Sequence, residues 1–577
     1  MASKKGDEMT LEQTLWETAE SMRAKGNQEA SEYKHVVLGL VFLKYVSDKF
    51  SERRQELTQE LMDEGIDDGQ IPSFLEDRDE YSGKNVFWIP DGARWEQLQT
   101  KAKLPGIGQA IDEAMRLIER ENPTLTGVLP RNYGREDLKD EMLGELIDLI
   151  GSIGFGADSD HGADDILGRV YEYFLGMFAG AEKGKDGGEF YTPRSVVNLL
   201  VEMLQPFSGR VYDPCCGSGG MFVQSARFVE AHGGSRDALS IYGQEKAAST
   251  WRLAKMNLAL RGIEADLGPR DAETFTEDQH PDLRADFIIA NPPFNLKGYW
   301  SAVLEDDPRW AYGTPNDSNA NYAWIQHFLY HLAPSGSAGF VMANGALSSK
   351  AKTDGTIRQA LLEADLVDCI VALPDKLFFN TGIPACLWFL AKNRHGNGHR
   401  DRHGEVLFID ARNMGEMITR AQRQLTEADI ERIANTYNTW RSRNASENYE
   451  DVAGFCKAAT LSEIAENDFI LTPGRYVGLD QTEDPNAEPA EQKIKRLTAE
   501  LLADNREPLD IDEDNPPDEA ALSAAIRQHK QAMEALGAVN LAAIADYDSA
   551  EAEYRTLDEQ CRDLRHTLEL LEEVLAD

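Results

Sequence analysis

From residue 11 to about residue 155, apolar residues recur at spacings of three and four, the mark of amphipathic helices. The stretches "TLEQTLWETAESMRAKG" and "EYKHVVLGLVFLKYVSDKFSERRQEL" show it most clearly. A Gly- and Asp-rich segment, "GFGADSDHGADD", then marks a boundary. Beyond about residue 165 the period changes. Short β-branched and aromatic runs alternate with helical stretches: "GRVYD", "LSIYGQE", "ADFIIA", "SAGFVMA", "LVDCIVALP", "ACLWFLA" and "GEVLFID". That alternation predicts an α/β fold, a mostly parallel sheet covered on both faces. The runs at 366–373 and 385–391 are joined too tightly for a helical crossover and predict an antiparallel hairpin at one edge.

After about residue 475 the strand signal stops. "DQTEDPNAEPAEQ" and "REPLDIDEDNPPDEA" read as solvated acidic linkers. The last stretch carries Tyr554, Leu557, Cys561, Leu564, Leu568 and Leu571 in alternating threes and fours, the pattern of a helix that either packs on its own domain or, as the acidic linkers favour, forms a coiled-coil arm that docks a partner. Three regions follow: a helical domain at 1–157, a catalytic α/β domain at 158–475 and a partner-docking region at 476–577.

Composition narrows the classes. Hydrophobic content of 42% and charged content of 28% are those of an ordinary globular protein. The start lacks a signal-peptide core, and the most apolar early run, at 36–46, is too short to span a bilayer. Six cysteines include no C-x-x-C pair and make no disulfide framework, so a reduced, cytoplasmic protein without a structural metal is expected. Fifty-nine Lys and Arg against 100 Asp and Glu leave a net charge of −41. A protein gripping DNA alone shows a basic face, because phosphate neutralisation dominates affinity. A basic partner that carries the DNA contact is the simpler expectation here.

Two motifs carry chemistry. In "GRVYDPCCGSGGMFV" a strand ends at Asp213, and a turn of Gly217, Ser218, Gly219 and Gly220 opens a helix. Such a turn lets a ligand approach backbone N–H groups at a helix N-terminus. Phe222 stands where a dinucleotide fingerprint has its third glycine. A second strand ends on Glu245, placed to accept from both ribose hydroxyls of a nucleoside. S-adenosylmethionine is favoured over NAD, since its nucleoside has no pyrophosphate asking for three glycines.

The second motif is "ADFIIANPPF". Counting strands puts "ADFIIA" beside "GRVYD", across the point where strand order reverses and ligands bind. Asn291 would then face the nucleoside. An exocyclic amino group is a poor nucleophile because its lone pair is delocalised into the ring. The Asn291 side-chain carbonyl and the Pro292 main-chain carbonyl could accept its two hydrogens and favour a pyramidal nitrogen. Pro292 and Pro293 restrict the backbone and lock both groups. Phe294 could stack on the base, worth roughly 1–3 kcal/mol. Positioning and oriented dipoles would carry catalysis, with no metal required.

In this order and spacing the sequence resembles the modification subunits of type I restriction–modification systems, which are N6-adenine DNA methyltransferases. The resemblance runs through "EYKHVVLGLVFLKYVSDKF", "GRVYEYFLGMFA", "GGEFYTPRSVVNLLVEML", "DPCCGSGGMFV", "YGQE", "MNLALRGI", "FIIANPPFN", "NANYAWIQHFLYHL" and "NDFILTPGRYVG". It covers nearly all of the chain except the last hundred or so residues. It implies a Rossmann-like methyltransferase domain, with Glu189, Phe190, Tyr191, Thr192, Pro193 and Arg194 closing over S-adenosylmethionine. It implies Asp271 near the cofactor's adenine, although Arg270 stands where the family usually has glycine. It also implies base flipping, a separate specificity subunit, two copies of this chain per specificity subunit, and restriction subunits in the full complex. The other readings are a self-sufficient amino-methyltransferase on DNA, RNA or protein glutamine, and a cofactor-binding scaffold that has lost catalysis.

Three features are read as structural. His395, His399 and His403 sit in a Gly-containing stretch read as a solvated loop. Cys215 and Cys216 are small residues filling a turn, and Asn257 is a helix or turn hydrogen bond.

Overall fold

The computed structural model describes residues 11–26, 30–152, 170, 173–174, 177, 192–378, 384–396, 398–419, 422–443 and 449–478. The chain divides into two units, 1–482 and 483–577, and every described residue belongs to the first. The acidic linkers, the C-terminal helical arm and the boundary segment after residue 152 lie outside the described residues.

The apolar run near the N-terminus lies in a long helix, α2 (Ala30–Asp63), which follows α1 (Leu11–Gly26). From Val36 to Leu43 every residue is buried. A helix covered on all sides must sit at the centre of its bundle, which is why this stretch is apolar all round. Gly39 marks the tightest approach: a Cβ there would fall 2.2 Å from the Tyr133 hydroxyl, which donates to the Val36 carbonyl at 3.0 Å. Helices α3 (Ile107–Glu121) and α4 (Asp140–Gly151) pack their apolar faces into the same core, through Ile111, Met115 and Ile118, and through Leu143, Leu146 and Ile150. Among the described residues no helix is long and apolar enough to cross a membrane.

The α/β part is one nine-stranded sheet. Its strands are β1 (Gly209–Asp213), β2 (Leu239–Gly243), β3 (Ala265–Asp266), β4 (Ala285–Ala290), β5 (Leu332–Ala343), β6 (Val367–Ala372), β7 (Ala385–Ala391), β8 (Glu405–Asp410) and β11 (Cys456–Thr460). The two-residue strands β9 (Glu416–Met417) and β10 (Arg423–Gln424) form a separate hairpin. The order across the large sheet is β11-β8-β6-β7-β5-β4-β1-β2-β3. Strand β1 pairs in parallel with both β2 and β4, so the order reverses between β1 and β4. The β6–β7 hairpin is antiparallel as expected, and the sheet continues past it. There β8 adds in parallel to β6, and β11, which the pattern did not reveal, closes that edge antiparallel to β8.

Both faces are covered, and strand residues alternate between two cores. In β4, Ile289 faces one core and Ile288 the other, both 0% exposed. Each such side chain contributes about 1.5–3 kcal/mol on burial. One face carries α5 (Arg194–Leu204), α6 (Gly220–Ala231), α7 (Ala248–Ala259) and α10 (Glu427–Arg441); the other carries α8 (Asn321–His331) and α9 (Lys352–Glu363). Helix α7 belongs to two cores at once. Its Trp251, Ala254 and Leu258 pack under the sheet, while Leu253 and Met256 enter the N-terminal bundle.

Candidate active site at the ends of β1 and β4

Strand β1 stops at Asp213 and the chain turns into α6 through the glycines. Gly217 (φ +54°) and Gly219 (φ +79°) hold left-handed backbone that other residues rarely adopt. A Cβ on Gly217 or Gly220 would meet no atom within 4 Å, so this side of the turn is open to a ligand. A Cβ on Gly219 would stand in van der Waals contact with Leu258 of α7, 3.4 Å away.

The turn is tied to the end of β2. Glu245 accepts from Gly217 N–H through one carboxylate oxygen (3.0 Å) and from Ala247 N–H through the other (2.8 Å). The Cys216 N–H donates to the Gln244 carbonyl at 2.9 Å. Asn257 on α7 donates to the Ser218 carbonyl at 2.7 Å, so the turn bond expected of it is present, and it also borders the cavity beside the turn. Asp213 is 1% exposed and accepts from Cys215 N–H at 3.0 Å. Burial, with the Glu245 carboxylate adding to it, pushes the Asp213 carboxyl up to about 7. Burial also holds both adjacent thiols well above the ordinary cysteine value, so neither Cys215 nor Cys216 is a thiolate nucleophile at neutral pH.

Asn291 follows β4 directly and donates through Nδ2 to Thr192 Oγ1 at 2.9 Å. One bond thus joins two motifs 99 positions apart in the chain and orients the amide. Thr192, Arg194, Asp213, Gly217, Ser218, Gly220 and Asn291 line a single cavity of about 100 Å³. That volume, measured over the described residues, is smaller than the roughly 300–1,000 Å³ of most small-molecule sites.

Other expected residues stand elsewhere. Pro193 is buried as the N-cap of α5. Gly219, Glu245, Pro292 and Pro293 are not among its lining residues. Phe294 is only 5% exposed, its ring edge-on to Phe378 at 5.9 Å and 75°. Asp271 is also not among the lining residues; its neighbour Ala272 donates to the Glu245 main-chain carbonyl at 2.9 Å. Glu189, Phe190 and Tyr191 lie outside the described residues.

Sequence reasoning missed Gln224 and Val197 as cavity residues, and Cys215, Cys216 and Met221 with them. The signal existed: Gln224 lies one helical turn beyond Gly220, and Val197 three residues beyond Arg194, each on the face already in use. The histidine stretch is solvated at two of its histidines, as expected, yet its arginines anchor it. His395 and His403 are exposed, with rings stacked at 4.7 Å, but Arg394 and Arg402 from the same loop are each 2% exposed and bind Asp368 of β6. A larger cavity of about 530 Å³ opens where α2 and 84–87 meet α6 and the end of α7. Ion-paired side chains such as Arg53 and Glu60 line it, with Val223 of α6, and none of the expected site residues does.

Known proteins share this arrangement. The family model described as N-6 DNA Methylase matches residues 162–485, and the one described as HsdM N-terminal domain matches residues 11–150. The type I restriction enzyme HindI methylase subunit of Haemophilus influenzae is 51% identical over 72% of this chain and 95% of its own length. The MjaIX methylase subunit of Methanocaldococcus jannaschii is 41% identical over 86% of this chain and 89% of its own. A crystal structure of the type I restriction–modification methyltransferase subunit from Streptococcus thermophilus aligns with a TM-score of 0.65 at 28% identity. It covers 81% of this chain and 99% of that one. The chain therefore belongs to the N6-adenine DNA methyltransferases, in the family of type I restriction enzyme methylase subunits.

Proposed function

We propose that this chain transfers a methyl group from S-adenosylmethionine to N6 of an adenine flipped out of duplex DNA, at sites chosen by a separate specificity subunit. The observation that carries the proposal is the bond between Asn291 and Thr192 on the wall of a cavity that the open glycine turn also lines. It sets a hydrogen-bonding amide beside a nucleoside-type turn at the point where strand order reverses.

The residues fit the cofactor. Gly217 and Gly220 leave open the space a Cβ would fill, and the buried Asp213 and the Glu245 carboxylate supply acceptors at the strand ends. Ser218 and Arg194 would complete that side, with Glu189, Phe190 and Tyr191 closing over it and Asp271 near the adenine. When bound, S-adenosylmethionine supplies an electrophilic methyl group on a sulfonium.

The chain's own residues do the rest by positioning. The Asn291 side-chain carbonyl and the Pro292 main-chain carbonyl accept the two amino hydrogens, which localises the nitrogen lone pair toward the methyl donor. Pro292 and Pro293 hold the two carbonyls in register. Phe294 stacks on the base after leaving its contact with Phe378. In the cell, two copies of this chain would join one specificity subunit, and restriction subunits would complete the nuclease.

The test adds labelled S-adenosylmethionine and duplex DNA to the chain with and without its specificity partner. Sequence-specific labelling of adenine is expected only with the partner. Asn291→Ala should remove that labelling, by about 100-fold or more as for a lost transition-state donor or acceptor, while cofactor affinity stays nearly intact. Full activity by the chain alone would overturn the division of labour, and loss of cofactor binding in the variant would make Asn291 structural.

A further inference from the structure

The motif does not end at Phe294. Asn295 adopts left-handed backbone (φ +53°) and is held by a reciprocal amide pair. Its N–H donates to Asn321 Oδ1 at 3.0 Å, and Asn321 Nδ2 donates back to Asn295 Oδ1 at 2.9 Å. Asn319 Nδ2 adds a third bond to that oxygen at 3.2 Å, and Asn319 Oδ1 accepts from Asn321 N–H at 3.0 Å. The Ala320 N–H donates to the Leu296 carbonyl at 3.0 Å.

The partner is well anchored. Asn321 is 4% exposed and opens α8, in which every residue but Tyr330 is buried. Between Leu296 and Ala320 the chain has no regular structure except a short 3-10 turn at Ala302–Leu304. Tyr299, Leu304 and Trp310 anchor the middle of this long connection in the core, and fixing the end beside Phe294 falls to the amide bonds. The amide bonds close the loop at its neck. Upstream, the sheet and the Thr192 bond fix Asn291; downstream, the neck fixes Asn295. The four residues from Asn291 to Phe294 are therefore held at both ends.

We propose that the Asn295–Asn321 amide pair is a positioning device for the target-base residues: it pins the exit of the loop so that the Pro292 carbonyl and the Phe294 ring return to one geometry when a base enters. This rests on the methyl-transfer reading above. Neither asparagine touches the reacting atoms. Their effect runs through Phe294 and Pro292, where a displacement of about 1 Å costs on the order of 100-fold in rate.

Single-turnover methyl transfer by the full chain with its specificity partner, at saturating cofactor and DNA, tests it. Asn295→Gly keeps the left-handed backbone but removes the acceptor, and should slow the chemical step about 10- to 100-fold with cofactor affinity and unfolding midpoint near wild type. Asn295→Asp keeps that acceptor and should recover most of the lost rate. Asn321→Asp keeps the acceptor for Asn295 N–H but loses the donor while ionised. Its rate relative to wild type should climb as pH falls and the carboxyl gains a proton to donate, a response that general destabilisation would not give. Wild-type rate in Asn295→Gly, or an Asn321→Asp rate that tracks wild type at every pH, would overturn the clamp. An inactive wild-type complex would instead overturn the reading of the site, and the clamp's purpose with it.

Discussion

Asp213 shows how little a residue type says until its surroundings are known. As a letter it is an acid at the end of a strand; in the fold it is a carboxyl shut away from water, pushed up to about 7 by burial. Its proton is held to higher pH in the folded protein than in the unfolded chain, where an ordinary 3.8 applies. The folded state therefore binds more protons between about pH 4 and pH 7, and stability falls as pH rises through that window. Asp213→Asn keeps the acceptor for Cys215 N–H and removes the titration. Urea unfolding at a series of pH values should show the variant losing that slope, a difference on the order of 3 kcal/mol across the window. A slope equal to wild type would place the titration elsewhere. Asn291 differs: its position after an apolar strand and before two prolines pointed to chemistry directly. Its bond to Thr192 could not be read, because nothing along the chain says which residues 99 positions apart will meet.

At the scale of elements, hydrophobic periodicity was a good guide wherever a strand is buried on both sides. All seven runs named from the pattern form strands. It was blind to β11, "CKAAT", an edge strand that buries only the small Cys456 and Ala459 and so shows no run of large apolar residues. The histidine loop keeps His395 and His403 in solvent as read, but the arginines that tie it down answer to a carboxylate on another element. Asp368 of β6 is 0% exposed and receives Arg394 Nε at 2.8 Å, Arg402 Nε at 3.0 Å and the Tyr437 hydroxyl at 2.6 Å. Burial opposes its charge, but the two guanidiniums and the Tyr437 hydroxyl prevail and hold the carboxyl down at about 2. The stabilisation from that depressed value is whole above the unfolded value near 4 and is lost as pH falls toward 2. Asp368→Ala would leave the buried Arg402 guanidinium without its carboxylate and Arg394 with Asp365 alone. A loss of about 3–5 kcal/mol in urea unfolding at pH 7 is expected. A change under 1 kcal/mol would mean that the loop stands without this anchor.

For the whole molecule the governing quantity is charge. Fifty-nine basic against 100 acidic side chains make a net −41, and a duplex approaching a chain of that charge meets net repulsion. The chain alone should therefore bind duplex DNA no tighter than about 10 μM at 150 mM salt, within the range of non-specific binding. With its specificity partner it should bind far more tightly, and the log–log salt slope should reflect the partner's phosphate contacts. Fluorescence anisotropy over a salt series measures both. Submicromolar binding by the chain alone would show that a basic groove of its own does the work. At this scale α7 also matters, because its two apolar faces join the helical bundle to the sheet that carries the site.

Sequence by itself determined the class of fold, the order of the strands that matter and the two motifs, because period, strand-end residues and glycine turns are local. It also named Asn291, Asp213 and the glycines, whose conformational demands are written in their immediate neighbours. Only tertiary structure decided which of them share a cavity, that Phe294 is packed away against Phe378, that Asp213 lies too deep to ionise easily, and that Asn295 is tied to α8. Each of those depends on contacts between distant parts of the chain, and such contacts leave no period in the sequence.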